Sequence, residues 1–139
     1  MTDRGIPRGW WLLFCTELPL VAGTLVYWVV APDAFLTESI GIAAPGAPER
    51  YLLHLYGGVV GTLVLWFYGR VLLAPRLHLP TFRRLQEALG IGDVVIVGLG
   101  LQAWGALDAA PAMLAAQIGM AGLWGMVRVA FLIKVREPR

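Results

Sequence analysis

Four long apolar stretches dominate the pattern of hydrophobic and polar positions. The first, WWLLFCTELPLVAGTLVYWVV, begins at Trp10 and contains Glu17 as its only charged residue. A bilayer core about 30 Å thick is crossed by about 20 helical residues. We therefore predict an all-α integral membrane protein, a four-transmembrane-helix bundle that forms one domain over residues 1–139. The predicted spans are about 10–32, 51–74, 85–107 and 113–135.

Composition supports this class. Hydrophobic residues make up 58% of the 139 positions and charged residues 14%, whereas a soluble domain has roughly 25% charged residues. The segments between the predicted spans are too short to hold a soluble domain. The apolar run after Arg8 also continues well past the length of a signal-peptide core, so we expect it to remain as the first span.

The distribution of basic residues predicts the orientation. Ten of the eleven Lys and Arg residues lie at or toward one side, and Arg50 alone lies on the other. The ten are Arg4, Arg8, Arg70, Arg76, Arg83, Arg84, Arg128, Lys134, Arg136 and Arg139. The opposite side carries Asp33, Glu38, Glu49 and Asp108. The positive-inside rule then predicts that both termini are cytoplasmic.

Several ionisable residues lie within the predicted spans at similar depth. Glu17 and Asp93 each lie about 10 to 12 Å from the cytoplasmic start of their helices, at 1.5 Å per residue. Arg128 on the fourth span reaches a similar level, and Tyr68 and Arg70 approach it on the second. We predict one polar layer to which all four helices contribute.

Helical rotation of about 100° per residue predicts which polar side chains face inward. The predicted inward set is Glu17, His54, Tyr68, Asp93, Gln117, Trp124 and Arg128. Arg70 points nearly opposite His54 and is expected to reach the cytoplasmic headgroups.

Glu17 is followed two positions later by the helix breaker Pro19. A charge at the bilayer centre costs about 2.5 to 3.5 kcal/mol, so Glu17 should be paired, protonated or exposed to an internal cavity. Arg128 is the partner predicted by depth. Pro19 leaves the carbonyl of Cys15 without its helical donor, and that acceptor would lie in the same layer. Two interpretations stay open for Glu17, Asp93 and Arg128: a structural ion-pair network, or contact with a ligand or a proton.

Glycine spacing predicts close helix packing. Gly57 and Gly61 form a small-xxx-small pattern on the second span, and the fourth span carries a similarly small-residue surface. We expect the Gly57 and Gly61 face to pack against another helix, with a dimer or partner interface as the alternative.

Signatures of soluble enzymes and of metal or cofactor sites are missing from the sequence. There is no nucleophile elbow, P-loop or HExxH motif, and ALGIGDVVIVGLG lacks the dinucleotide-binding register. Cys15 is the only cysteine, and His54 is the only histidine within a span. The sequence therefore predicts no metal and no cofactor, and the basic residues indicate contact with anionic lipid rather than nucleic acid.

Three stretches resemble a known family. APDAFLTESIGI, then YLLHLYGGVVGTLVLWFYGR, then ALGIGDVV together resemble the small four-helix bacterial membrane proteins of the DoxX-like group. In that group an extracytoplasmic loop precedes a glycine-bearing second helix. The resemblance implies the fold and the plasma membrane of a bacterium, and it assigns no role to any residue because the functions of the group are varied.

Three function classes remain. The first is a non-enzymatic accessory subunit that binds a partner protein, further copies of itself, or a lipophilic small molecule among membrane lipids. The second is a membrane isomerase, cyclase or epoxide hydrolase for an isoprenoid or sterol-like substrate. In it Glu17 and Asp93 would be the catalytic acid and base, and His54, Tyr68, Gln117, Trp124 and Arg128 would contact the ligand. The third, a proton-coupled carrier, is less favoured because the sequence has no inverted-repeat character.

Overall fold

Four helices that are long and apolar enough to cross a membrane make up most of the structure. A computed structural model describes residues 6–74, 79–107 and 111–135, of which 89% are helical, and no strand occurs among them. The backbone explains the absence of strands, because only a helix or a closed barrel satisfies its own polar groups in lipid. The prediction of four helices long and apolar enough to span a membrane is confirmed.

The helix boundaries lie close to those predicted. The long helices are α1 (Arg8–Val30), α3 (Ala47–Leu72), α4 (Leu79–Ala106) and α5 (Ala112–Lys134), and α2 is a short helix at residues 32–40 between the first two. The largest difference is at α4, which begins six residues before the predicted start at Leu85 because the basic segment around Arg83 and Arg84 is itself helical.

Two segments have π-helical rather than α-helical geometry. In α2, Leu36–Ile40 is π-helical and ends at Gly41, whose φ of 80° lies in the left-handed region that favours glycine. In α3, the segment His54–Gly61 is π-helical between two α-helical parts. A π-helical turn has i→i+5 hydrogen bonds, so the angular positions of side chains in α3 depart from a uniform 100° rotation.

The chain divides into two compact units, and the division crosses α4 after Arg83. Among the described residues, the first unit contains α1, α3 and the first turn of α4. The second contains most of α2, the rest of α4, and α5. The single domain predicted from the sequence stays a prediction.

In the first unit, α1 and α3 pack in antiparallel directions. Trp11 near the start of α1 donates from its indole nitrogen to the carbonyl of Leu72 at the end of α3, at 3.0 Å. This bond satisfies one of the carbonyls that a helix end leaves without an intrahelical donor. Phe14 is fully buried and meets the ring of Phe82 edge to face, with ring centroids 5.4 Å apart.

The two glycines of the small-xxx-small pattern are the places where α3 meets α1 most closely. A Cβ atom at Gly57 would overlap the indole of Trp28, and one at Gly61 would overlap the end of the Leu25 side chain. The prediction that this face packs against another helix is confirmed. Only glycine leaves room for the Trp28 ring at this position.

In the second unit, α4 and α5 are also antiparallel, and successive turns of one helix contact successive turns of the other. Gly100 lies against Ile118, and two turns earlier in α4, Asp93 lies against Gly125. One turn further, Gly90 lies against Arg128. Small residues on both helices therefore set the spacing between α4 and α5.

Large apolar side chains cover the outer surface of these helices. Val30, Val94 and Met126 are 76%, 70% and 67% exposed, respectively. Exposed apolar area on this scale is unfavourable in water and favourable against lipid. Of the charged residues behind the orientation prediction, those outside the described residues are Arg4, Arg76, Asp108, Arg136 and Arg139.

The close approach at Gly57 leads to a testable prediction. Gly57→Ala should lower the thermal unfolding temperature in detergent, because overpacking costs about 1–3 kcal/mol and the bulky Trp28 ring is hard to displace. Gly58→Ala is the matched control, since its Cβ would lie 3.8 Å from Val29, an ordinary contact. Both variants gain the same helix propensity, so equal unfolding temperatures would contradict the packing described above.

Candidate functional site

Glu17 is buried within the first unit and bonded to a tyrosine. The hydroxyl of Tyr68 on α3 donates to Oε2 of Glu17 at 2.7 Å, and the two residues are 3% and 5% exposed. A short bond from a hydroxyl to a carboxyl oxygen is among the stronger hydrogen bonds. The sequence predicted both residues to face inward at the same level, and the structure brings them together.

The helix breaker Pro19 lies within α1, which continues as a helix through it to Val30. The Tyr68 hydroxyl also lies 3.5 Å from the carbonyl oxygen of Phe14, a longer and weaker contact than its bond to Glu17. The carbonyl that loses its helical donor at Pro19 is that of Cys15, so the Tyr68 contact with Phe14 does not replace that bond.

Arg128 is the centre of a second polar cluster, in the second unit. Its Nε donates to Oδ2 of Asp93 at 2.8 Å, and its Nη1 donates to Oε1 of Gln86. Its guanidinium carbon lies 5.9 Å from the ring centroid of Trp124, one helical turn earlier on α5. Arg128 is only 2% exposed, so the Asp93 carboxylate compensates its charge away from water.

Two glycines lie against this ion pair. A Cβ atom at Gly90 would lie 3.7 Å from Cδ of Arg128, and one at Gly125 would lie 3.5 Å from Cβ of Asp93. The aliphatic part of Arg128 can therefore lie along the surface of α4, which brings its guanidinium to Gln86 and Asp93. Both distances are ordinary van der Waals contacts, so an added Cβ atom alone would fit at either position.

Gln86 is the member of this cluster that the sequence interpretation missed. It was placed at the edge of the third span, since that span was predicted to begin near residue 85. A usable signal is the spacing of Gln86, Gly90 and Asp93, which puts them on one face of a helix. Gln86 is fully buried, and its Nε2 has no hydrogen-bond partner among the residues that the structure describes.

An apolar groove of about 970 Å³ lies along α4 and α5 beside the ion pair. Its walls include Ile91, Val94, Val129 and Ile133, and Gly90, Gly122 and Gly125 widen it. Gln86, Asp93 and Arg128 also line it, together with the exposed Glu87. The groove thus combines a large apolar surface with a few polar groups at one place, as ligand sites commonly do.

The remaining residues of the predicted inward set lie in different surroundings. Trp124 is 8% exposed and contacts Arg128. Gln117 is half-buried on α5, about 16 Å from the level of Arg128 at 1.5 Å per residue. His54 is exposed. The structure therefore places Trp124 with the ion pair and Gln117 at another depth.

The exposure of His54 departs from the expectation that it shares a buried face with Tyr68. His54 begins the π-helical segment of α3, and Gly57 is the residue of that segment that is buried. The expectation assumed a uniform α-helical rotation between His54 and Tyr68. A segment with i→i+5 bonds advances less per residue, which changes the phase between the two positions.

The structure describes two polar clusters, one within each unit, and the single layer predicted from all four helices stays a prediction. Glu17 accepts a hydrogen bond from Tyr68 in one, and Arg128 donates to Asp93 and Gln86 in the other. The Glu17–Arg128 pair stays a prediction, as do the catalytic roles of Glu17 and Asp93. Within residues 6–74, 79–107 and 111–135, no three His, Cys, Asp or Glu side chains come together as metal ligands.

Comparisons of the chain with protein-family models, with curated proteins and with solved structures gave no match. The resemblance to the DoxX-like group therefore stays a prediction, and the candidate site rests on its geometry alone.

The ion pair leads to a testable prediction about stability. Asp93→Asn and Arg128→Gln should each destabilise the protein in detergent, because each leaves the partner charge buried and unpaired, at a cost of about 3–5 kcal/mol. The double variant should lose clearly less than the sum of the two. Thermal unfolding of the parent and the three variants measures this coupling, and strictly additive losses would exclude it.

A second double-mutant cycle tests the Glu17–Arg128 pair that was predicted from the sequence. Glu17→Gln combined with Arg128→Gln gives a second cycle under identical conditions. A favourable coupling energy in that cycle supports a Glu17–Arg128 interaction, and additivity excludes it.

Proposed function

We propose that this chain is a small accessory membrane protein that binds a lipophilic small molecule in the groove between α4 and α5. The observation that carries the proposal is the position of a buried ion pair beside a large apolar groove. Asp93 and Arg128 supply polar contacts at one place, and the walls supply area for an apolar body. Placement of one polar group against a long apolar surface selects an amphiphilic ligand.

The charges around the groove disfavour an anionic ligand. Asp93 compensates Arg128, and Glu87 adds a negative charge at the edge, so the groove offers an anion no excess positive charge. The unpartnered Nε2 of Gln86 is a donor that lacks an acceptor among the described residues. A buried donor without an acceptor costs about 1–3 kcal/mol, and a shift of the buried Gln86 side chain toward a ligand oxygen in the groove would offset that cost.

The enzyme alternative, an isomerase, cyclase or epoxide hydrolase acting on an isoprenoid or sterol-like substrate, has less support. Its acid would have to donate a proton to an alkene or epoxide. Asp93 lines the groove but is engaged by Arg128 at 2.8 Å, and an ion-paired carboxylate is a poor proton donor. Glu17 is enclosed and hydrogen-bonded to Tyr68.

For location, we propose the plasma membrane of a bacterium, with both termini cytoplasmic, in line with the resemblance and with the excess of Lys and Arg on one side. The support for a multi-pass protein is the presence of four helices long and apolar enough to span a bilayer.

The orientation can be tested by cysteine labelling. After Cys15→Ser, single cysteines should be introduced at Gly9, where a Cβ atom meets nothing within 4 Å, and at the exposed Ala44 in the segment after α2. Ser39 is unsuitable because it is fully buried. In sealed right-side-out vesicles, a membrane-impermeant maleimide should label Ala44→Cys only, and should label Gly9→Cys after the vesicles are opened. Labelling of both in sealed vesicles would contradict the topology.

Ligand binding can be tested by filling the groove. Gly122→Leu places an isobutyl group in it, whereas Gly119→Leu, on the same helix, adds the same group where a Cβ atom meets nothing within 4 Å. We expect a lipophilic small molecule to copurify with the parent and with Gly119→Leu, and to fall at least about fivefold in Gly122→Leu, since blocking a pocket removes most of its contact area. Native mass spectrometry of the detergent-solubilised proteins measures this.

The outcomes separate the proposals. Equal ligand content in both variants, with equal unfolding temperatures, would overturn the groove as the binding site. A copurified protein chain that Gly122→Leu releases would instead support the partner-protein alternative, and a loss of self-association would support a homo-oligomer.

A further inference from the structure

An arginine near the C-terminal end of α3 has no carboxylate partner within the part of the chain that the structure describes. Arg70 is exposed and lies two residues before the end of the helix at Leu72. Its guanidinium carbon lies 5.6 Å from the ring centroid of Trp66, one turn earlier on the same surface. Arg128, by contrast, has Asp93 as its counter-ion.

The surface beside Arg70 is a shallow depression of about 510 Å³. It is lined by Leu65, Trp66, Gly69, Arg70, Leu73 and Ala74. Gly69 adds no side chain to it, and a Cβ atom there would lie 4.0 Å from Cδ2 of Leu18 on α1. Leu65 and Leu73 give it apolar walls, and Arg70 gives it one fixed positive charge.

An arginine beside a tryptophan at the end of an apolar helix is suited to binding a phosphate group. A guanidinium presents several N–H donors in a plane that fits phosphate oxygens in pairs. The face of Trp66 attracts the cation and limits its orientation. Trp and Arg near the end of a span lie at the level of the lipid headgroups, where the anion in excess is the phosphate group of anionic lipids.

We propose that Arg70, Trp66 and Gly69 form a binding site for the phosphodiester group of an anionic phospholipid. The phosphodiester accepts hydrogen bonds from the Arg70 guanidinium. An acyl chain then runs over Gly69 toward Leu65, which lies nearer the middle of the span. The site is formed by α3 and the two residues that follow it, and it does not depend on a ligand in the groove between α4 and α5.

The test measures the affinity of the first bound lipid by native mass spectrometry in a neutral detergent. The probes are phosphatidylglycerol and phosphatidylcholine with identical acyl chains. We expect the parent to prefer phosphatidylglycerol and Arg70→Gln to lose about fivefold in affinity for it, the effect of one basic residue at a membrane surface. Trp66→Leu should also weaken binding of phosphatidylglycerol, because the guanidinium loses its aromatic support.

Arg84→Gln is the matched control, because Arg84 is exposed on α4 and its replacement removes the same charge. We expect it to weaken binding less than twofold. An equal loss in Arg84→Gln and Arg70→Gln would overturn the site, since net charge alone would then explain the preference. Unfolding temperatures equal to that of the parent ensure that the variants are folded.

Two further measurements use the parent protein only. Raising the salt concentration should reduce its preference for phosphatidylglycerol, because an exposed ion pair is screened. Glycerol phosphate, which has the phosphate but no acyl chain, should not displace the lipid at millimolar concentration. Displacement by glycerol phosphate would assign the site to a free phosphate compound, and a preference unaffected by salt would overturn the role of Arg70.

Discussion

The cost of an uncompensated polar group in an apolar environment is the constraint on which this structure depends. Lipid offers no hydrogen bonds, so each backbone or side-chain polar group within a span needs a partner in the protein. Arg128 shows the consequence, because one side chain on α5 contacts Asp93 and Gln86 on α4 and the ring of Trp124. That contact requires α4 and α5 to come close, and Gly90 and Gly125 lie where the two helices meet at the ion pair.

Close helix packing and polar contacts occur together in both units. In the first unit, Gly57 admits the ring of Trp28, which brings α3 close to α1, and Tyr68 further along the same pair of helices reaches Glu17. Close approach alone gains little beyond dispersion contacts. A hydrogen bond or ion pair placed on the closely packed face adds directionality and selects one register of the two helices.

The sequence predicted the four spans well because span length and apolar composition follow directly from bilayer thickness, and the boundaries of α1 and α5 lie within two residues of those predicted. It predicted the individual partners less well. Similar depth along the helices makes contacts possible among Arg128, Asp93, Glu17 and Tyr68. It does not determine which of these residues pair. His54 was misplaced because the π-helical segment changes the phase of α3, and Gln86 was missed because the helical part of α4 extends beyond its apolar part.

Arg70 and Arg128 show two solutions to the same physical problem. Arg128 lies on a face that meets another helix, so its counter-ion is supplied by the chain and its guanidinium is shielded from the surroundings. Arg70 lies on an exposed face next to Trp66, so its charge is directed outward, toward whatever surrounds the helix at that level. The first arrangement stabilises the packing of α5 against α4. It also gives the groove between these helices a polar floor in which the charges of Arg128 and Asp93 nearly cancel. The second leaves a positive charge exposed at the end of an apolar helix, where we propose that anionic lipid headgroups supply the partner.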